Sequence, residues 1–297
     1  MSQHGKRCGG WTSLVTMKRT GLATSGREGT DMTDLNLVIA ALTADGDDVD
    51  RMVADLPAAK WALETPSPGW TIAHQIAHLS ATFRMAGLAA SNAEAFAALA
   101  SKLSPDFDAN VRHAMAGFLA EPPDVLLTRW RAERDGAIKA LAAAPPDQMV
   151  PWLVNPLPPA VLGMAGMMEL FGHGQDIADA LGIKPERTDR IQLIVAFSIR
   201  TWTFGYLARG LTPPETEFRF ELTGPSGALW TFGPEDSPNR ITGSAADFCL
   251  LVTRRRHRDD LDLAAAGAEA DRWMDIAQAY RGPAGDGRTP GQFRSTT

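Results

Sequence analysis

Two side chains that could bind a metal ion or carry a proton stand four residues apart in the second half of the chain. Glu169 and His173 are one helical turn apart, so on a helix they share a face. Glu169 is the only Asp, Glu, Lys or Arg between Gln148 and Gln175, and most of its neighbours are apolar. A helix that is apolar on nearly all sides is typical of a buried position. A carboxylate there is costly unless a metal ion, a cation or a proton neutralises it.

A second pair of candidate ligands, His74 and His78, is also spaced by four residues. Both lie on a predicted helix for which Thr71 is the candidate N-cap. The side of the helix that carries the histidines also carries alanine, methionine and leucine, so we expect the helix to be buried on two sides, with both imidazoles directed inward. Taken singly, each histidine is more often an ordinary core or boundary residue than a metal ligand.

The donor types on these two helices match an open metal site. Helical bundles commonly hold metals between the side chains of facing helices. Two histidines and one carboxylate leave coordination positions free for water or substrate, as in catalytic zinc sites and mononuclear iron(II) sites. The spacing does not choose the metal. The alternative is a protonated Glu169, or one bonded to an arginine, beside a core histidine, and the residues alone leave both interpretations open.

The composition is that of an ordinary globular protein with a sizeable core. The chain has 297 residues, of which 44% are hydrophobic and 22% charged, and its net charge of −6 argues against a general nucleic-acid surface. The two cysteines, Cys8 and Cys249, have no metal-binding spacing and predict no disulfide framework, which fits a reducing cytoplasm. No apolar run is long enough for a membrane helix. We therefore expect a small-molecule substrate, no membrane or nucleic-acid partner, and a monomer or homodimer.

The hydrophobic pattern changes from a helical to a strand period along the chain. Alternation from Phe218 to Thr223, the Gly224–Gly227 turn and a returning strand predict a hairpin, and Arg240–Gly243 a further short strand. A further helix is predicted after Ser244, and we expect its Cys249 to be a small buried hydrophobic residue. The other predicted helices cover about residues 35–56, 71–88, 92–119 with a break near Pro105, 125–141, 159–181 with Gly182 as C-cap, 188–209 and 268–280.

This order predicts a mainly α protein with a four-helix bundle followed by a smaller α+β domain. We expect residues 1–31 to form a disordered extension, 32–185 the bundle, and 186–297 the α+β domain with a loose Gly- and Pro-rich tail. The run Arg254–Arg258 closes a helix just before Asp259 and Asp260, so capping and ion pairing are the default role. A pocket that faces an anionic substrate is the alternative.

Four short motifs resemble a known family. Pro68–Thr71 leads to Ala77–Leu79, and Met168–Glu169 leads to His173–Asp176, as in the DinB superfamily. The resemblance is closest to the branch with the mycothiol-dependent maleylpyruvate isomerase N-terminal domain. Segments of the last hundred residues are also similar to an actinobacterial subgroup of uncharacterised metal-binding proteins, and the C-terminal domain resembles the small sterol-carrier-like domain of the isomerase. The resemblance covers about residues 33–285.

The resemblance implies a DinB-like four-helix bundle whose metal, usually zinc, is held by His78, Glu169 and His173. It gives His74 no ligand role. Relatives often carry a more polar run, including an arginine, where this chain has Ala165–Met167. This departure predicts a more apolar site and argues against a charged substrate such as maleylpyruvate.

Three functional hypotheses follow. The first is a metal-dependent enzyme of the mycothiol-dependent isomerase or S-transferase type, in which the metal activates a thiol, with mycothiol as co-substrate. The second is a metal-dependent hydrolase or cyclase that uses no thiol. The third is a non-catalytic protein that binds a hydrophobic small molecule between its domains. The catalytic base is not assigned, and His74, Arg84 and Asp176 are its neighbours in sequence.

Overall fold

The computed structural model of the chain describes residues 32–153 and 155–293, so the predicted disordered extension over residues 1–31 lies outside the described part. The helices are α1 (Leu35–Val53), α2 (Ile72–Ser91), α3 (Ala93–Ala100), α4 (Phe107–Leu119), α5 (Pro123–Ala143), α6 (Pro159–Leu181), α7 (Ile191–Arg200), α8 (Phe204–Leu207), α9 (Ala245–Val252) and α10 (Ala268–Ile276). The strands are β1 (Arg219–Thr223), β2 (Leu229–Phe232), β3 (Arg240–Ser244) and β4 (Leu263–Ala266). Among the described residues, no helix has the length and apolar character that crossing a bilayer requires.

The four long helices α1, α2, α5 and α6 pack together as a bundle, as the sequence predicts. Helices α2 and α5 approach closely because Gly87 has no side chain: a Cβ there would lie 3.1 Å from the Cα of Ala137. Helix α6 carries the candidate ligands and is buried along most of its length. It ends at Gly182, whose φ of 66° is the left-handed conformation that favours glycine.

The segment between α2 and α5 forms two short helices that pack on the bundle. Asn92 is the N-cap of α3 and Asp106 is the N-cap of α4, and each of these side chains accepts a hydrogen bond from a backbone N–H of the first helical turn. Phe96 from α3 and Phe118 from α4 are buried. The predicted interruption near Pro105 is therefore the boundary between two helices.

The C-terminal part contains a four-stranded sheet in the order β2-β1-β3-β4. The predicted hairpin is present, with Phe220 opposite Phe232, and β3 runs parallel to β1 on its other side. Helices α9 and α10 contact the sheet. Their contact includes the rings of Phe220, Phe248 and Trp273, whose centroids are 5.6 to 6.1 Å apart. The mainly α fold with a smaller α+β part is thus confirmed.

The predicted helix over residues 188–209 is divided in the structure. Helix α7 ends at Arg200 and α8 begins at Phe204. The hydroxyl of Thr201 donates to carbonyl oxygens of the preceding turn, and the carbonyl of Trp202 accepts from the indole N–H of Trp273 at 2.9 Å. The carbonyl oxygen of Trp202, which would accept a backbone hydrogen bond in a continuous helix, is therefore occupied by a tertiary contact.

The structure also corrects the prediction for the C-terminal end. The hydrophobic alternation of the sequence did not predict strand β4, because this strand is mostly alanine, a weak strand former. Only its antiparallel pairing with β3 defines it. The last helix ends at Ile276 rather than Tyr280, since the backbone N–H of Ala279 donates to Val252. The tail is not loose up to residue 293: the guanidinium of Arg288 donates to Asp176 at 2.6 Å, deep in the bundle.

Candidate metal centre

Helices α2 and α6 bring His78, Glu169 and His173 into one cluster, with ligand atoms that all lie within 4.8 Å of one another. The Oε2 atom of Glu169 lies 3.2 Å from Nε2 of His173 and 3.5 Å from Nε2 of His78. The His173 ring stacks on Trp70, with the centroids 5.9 Å apart. The three residues assigned by the resemblance are thus together in space, whereas metal binding by them stays a prediction.

The electrostatics of the cluster favour the ionisation states that bind a metal. Burial by itself would raise the pKa of Glu169, but its contacts with the imidazoles of His173 and His78 hold that pKa well below its usual value. Burial and the neighbouring His78 lower the pKa of His173 to about 4. At neutral pH, Glu169 is therefore a carboxylate and His173 a neutral imidazole, and both have lone pairs to offer.

A hydrogen-bond chain behind the cluster fixes the tautomer of His173. The carboxylate of Asp176 only accepts, so the amide NH₂ of Gln75 must face it, at 3.4 Å, and donates also to Thr65 at 2.8 Å. The amide oxygen of Gln75 is then left to accept from Nδ1–H of His173 at 2.5 Å. Because Nδ1 carries the proton, the Nε2 lone pair of His173 points toward Glu169.

Asp176 is the end point of this chain and is completely buried. It accepts hydrogen bonds from Ser67 at 2.8 Å and from Arg288 at 2.6 Å, and it pairs with Nε of Arg255 at 3.0 Å. Both arginines come from the C-terminal part of the chain. Asp176 is therefore an anchor for the two parts of the molecule, and with its oxygens engaged it is not free to act as a base at the cluster.

Other residues from the sequence analysis lie elsewhere. The Nδ1 atom of His74 caps the first turn of α2 through Thr71, so only one of the two histidines on this helix joins the cluster. Within the run Arg254–Arg258, ion pairing is confirmed: Arg255 pairs with Asp176 and Arg256 with Asp179. Of the two predicted aspartates, Asp259 lies 3.5 Å from Nδ1 of His257. Burial raises the pKa of the Cys249 thiol, in keeping with a buried hydrophobe.

A cleft of about 2840 Å³ opens onto the cluster. His78 and Glu169 lie in its lining, together with Arg84 from the next turn of α2. Helices α2 to α6 form one wall. The other wall comes from α7, α8 and the segments around Phe218 and Tyr280. The cluster is thus reached from the junction between the bundle and the C-terminal part.

Comparison with known proteins places this arrangement in a family. The sequence profile of the mycothiol maleylpyruvate isomerase N-terminal domain matches residues 42–178, which include the cluster. Two uncharacterized proteins of Mycobacterium tuberculosis, from different strains, are each 43% identical to the chain over 257 residues, which is 86% of this chain and 100% of each relative. The chain belongs to the mycothiol maleylpyruvate isomerase N-terminal domain family. The predicted resemblance is confirmed.

Two further matches concern the whole fold and the sheet. Solved structures of mycothiol-dependent maleylpyruvate isomerase and of a mutant of it align to this family member with TM-scores of 0.52 and 0.53 and 16% identity, over 80% of this chain and 95% of theirs. At this identity the likeness establishes the fold alone. A profile described as wyosine base formation matches residues 214–266, which hold the sheet and α9.

The sequence analysis missed Gln75, Trp70 and Arg288 as neighbours of the cluster. A signal for Gln75 was present: it is a polar residue within an apolar helix, three positions before His78, just as Asp176 follows His173 by three. No local signal identifies Arg288, because its partner Asp176 is 112 residues away in the chain.

Proposed function

We propose that the chain is a metal-dependent enzyme of the mycothiol-dependent isomerase or thiol-transferase type. The observation that carries the proposal is the position of the cluster: His78 and Glu169 line a cleft that a substrate can enter. Family membership supports the use of a low-molecular-weight thiol. The proposed partners are this thiol and a small-molecule substrate, and the proposed setting is the cytoplasm, where reduced thiols are kept.

The residues of the cluster fit a divalent metal. Two imidazoles and one carboxylate are the donor set of open catalytic sites, and zinc is the first choice, with iron(II) as the other metal that this set accepts. The neighbouring imidazoles keep Glu169 ionised, and Gln75 keeps the Nε2 lone pair of His173 available. His78, Glu169 and His173 would hold the metal.

When bound, the metal would stabilise the thiolate of the co-substrate, which can then add to an electrophilic carbon. Addition followed by release of the thiol would isomerise a double bond, and displacement of a leaving group would transfer the sulfur. The chain's own residues orient the His173 ring and shield it from water. Gln75 fixes the orientation of the His173 ring, and the Trp70 ring covers one face of the His173 ring.

The first experiment measures the metal content of the untagged chain by elemental analysis. We expect about one zinc or iron per chain, lost in Glu169→Gln and His173→Ala but kept in His74→Gln. His74→Gln is a matched control because His74 sits four residues before His78 without joining the cluster, and glutamine at this position suits a capping box. Circular dichroism checks that each variant is folded.

The second experiment measures conversion of maleylpyruvate and of an apolar aryl electrophile with and without mycothiol, and it follows consumption of mycothiol as the sign of sulfur transfer. Turnover that needs both metal and thiol supports the proposal. Turnover with metal alone would favour a hydrolase or cyclase instead. A chain that takes up neither zinc nor iron(II) would overturn the proposal.

A second candidate is a non-catalytic binder of a hydrophobic molecule. The cleft favours it, since large apolar side chains such as Leu103 and Phe107 are exposed in its lining. This candidate predicts ligand binding that neither needs the metal nor changes the ligand, which product analysis by mass spectrometry distinguishes from catalysis.

A further inference from the structure

Exposed apolar side chains are concentrated in the cleft. Eleven large hydrophobic residues of the described chain are exposed, and five of them line this one feature. These five are Leu99, Leu103, Phe107, Leu153 and Leu207. Single exposed hydrophobic residues are ordinary, but a group that shares one concave surface marks a binding site.

The size of the cleft exceeds what a small substrate needs. Pockets for small ligands usually have volumes of about 300 to 1,000 Å³, whereas this cleft has about 2840 Å³. It extends from His78 and Glu169 past α3 and α4, so the metal centre occupies only one part of its lining. The remainder has room for a long apolar body.

Among the described residues, Arg200 is an arginine of the cleft lining that has a buried N–H without an acceptor. The Nε atom of Arg200 is buried and has no hydrogen-bond acceptor within the described residues, nor is an ion pair found there for its guanidinium. Most other buried arginines have partners, as Arg255 does with Asp176. A buried guanidinium N–H without an acceptor is costly, and a ligand carboxylate or phosphate would supply what is missing.

Three other cations, Arg84, Lys102 and Arg281, lie in the same lining. The guanidinium of Arg281 is 5.1 Å from the ring centroid of Phe204, and both residues line the cleft. Carboxylates are present too: Glu215 and Glu217 lie in the lining, but neither forms an ion pair with Arg200. The cleft therefore carries charges of both signs, and Arg200 differs from its other cations by the buried N–H that lacks an acceptor among the described residues.

We propose that the cleft binds an amphipathic anion, with its negative group at Arg200 and its apolar body against Leu103 and Phe107. This inference rests on the proposed function only in naming the ligand as the substrate of the metal centre. Binding itself needs neither metal nor turnover. A compact dianion would leave most of the apolar lining exposed to water, so the ligand class is a long-chain or aryl monoanion.

The test is calorimetric titration of the full chain, freed of metal, with decanoate, decan-1-ol and butanoate. We expect decanoate to bind at least about tenfold more tightly than decan-1-ol, which lacks the charge, and than butanoate, which lacks the apolar body. Equal affinity for decanoate and decan-1-ol would overturn the assignment of the negative group. Absence of decanoate binding would overturn the proposal altogether.

Variants locate the two ends of the ligand. Arg200→Gln should lower decanoate affinity by about tenfold or more and leave decan-1-ol unchanged, and Arg200→Lys should keep most of the affinity. Arg51→Gln is the matched control, since Arg51 is an exposed arginine on α1 outside the cleft. An unchanged affinity of Arg200→Gln for decanoate would overturn the role of Arg200.

The apolar end is tested by Leu103→Asp, which should weaken both decanoate and decan-1-ol. Leu229→Asp is its control, because Leu229 is 64% exposed and lies outside the cleft. Elemental analysis of the same preparation before metal removal keeps the two proposals apart. Metal without decanoate binding would overturn only this inference, and decanoate binding in a chain that takes up no metal would support it while overturning the metal-dependent function.

Discussion

The candidate metal centre has two different sides: a rear side behind His173, which is a buried hydrogen-bond network, and a front side before Glu169, which is an open cleft. Behind His173, Gln75 and Asp176 are completely buried and each is held by several hydrogen bonds. In front of Glu169, the cleft is wide and mostly apolar, and Arg200 in its lining has a buried N–H for which residues 32–153 and 155–293 supply no acceptor. A network with all its partners present fixes geometry. A surface on which a buried polar group lacks a hydrogen-bond partner is a place where a ligand can supply that partner.

The rear side also joins the two parts of the chain. Arg255 follows α9 and Arg288 lies in the tail, and both reach Asp176 on the bundle helix that carries the ligands. The bundle alone would leave this carboxylate buried without a cation. The C-terminal part is therefore needed to complete the support of the candidate metal ligands, even though it contributes none of them.

The largest expected effect comes from breaking the rear network. Asp176→Ala would leave the guanidinium groups of Arg255 and Arg288 without their shared carboxylate. Removing one partner of a buried ion pair costs about 3 to 5 kcal/mol. Urea unfolding followed by circular dichroism should show a loss of unfolding free energy of this size.

The control for this substitution is Asp271→Ala, which removes a carboxylate from an exposed ion pair with Arg258. Exposed pairs contribute about 0.2 to 1 kcal/mol, so its effect should be small. If Asp176→Ala cost no more than Asp271→Ala, the arginines would have to move into solvent without penalty, and the network would not be a structural anchor.

Acid should weaken the metal-free fold through His173. Burial and His78 lower its folded-state pKa to about 4, from 6.5 in the unfolded chain. Between these two values the unfolded chain binds a proton that the folded chain excludes, so the free energy of unfolding falls as the pH falls through this window. The full loss is on the order of 3 kcal/mol. Urea unfolding of the apo protein at several pH values measures it.

This pH dependence should be mostly absent in His173→Gln. Burial also lowers the pKa of His74, which lies outside the cluster, so His74→Gln should remove a smaller part of the slope. The charged and titratable groups that surround His173 are Glu169, His78 and Arg255, and all three are present in both variants. Equal slopes for both variants would show that the cluster is not the origin of the effect.

Gln75→Leu tests whether the rear side controls the metal without unfolding the protein. Leucine has a similar volume but cannot accept from Nδ1–H of His173, so the tautomer and ring orientation are no longer fixed. Loss of such a supporting hydrogen bond typically lowers metal affinity by about 10- to 100-fold. Competition with a zinc chelator measures the change.

A matched control exists on α6. Gln175 is also buried, but it bonds Asp179 and Arg187 rather than His173. Gln175→Leu should change stability and leave zinc affinity nearly intact. A zinc affinity that falls equally in both variants would point to general destabilisation instead of the orientation of one ligand.

The front of the centre could be partly predicted from the sequence, whereas the rear left only the signal of a polar residue, Gln75, within an apolar helix. A charged residue within an apolar helix marks Glu169, and the family motifs mark His78 and His173. The four bundle helices and the hairpin follow from periodicity alone. The sequence also suggested an apolar site, from Ala165–Met167, and the lining of the cleft agrees with that expectation.

Long-range contacts decided what the sequence could not. The division of the helix at Thr201 follows from the bond between Trp202 and Trp273, 71 residues apart. The order in the tail follows from Arg288, since glycine and proline around it give no local pattern. Such pairings are invisible to hydrophobic periodicity, which reports only which face of an element is buried.

The smallest effect on stability is expected at the front, where the cleft should tolerate change. Leu103 is 41% exposed, so Leu103→Ser removes little buried surface and should alter the unfolding free energy by no more than about 0.5 kcal/mol. Leu126→Ser, at a residue that is 1% exposed in the bundle core, is the contrasting variant and should cost several times more. If Leu103→Ser destabilised the chain strongly, this residue would belong to the core and would not be available to a ligand. A small change in the unfolding free energy is expected for a residue of a binding surface, because a side chain that is exposed in the absence of ligand contributes little to the stability of the fold.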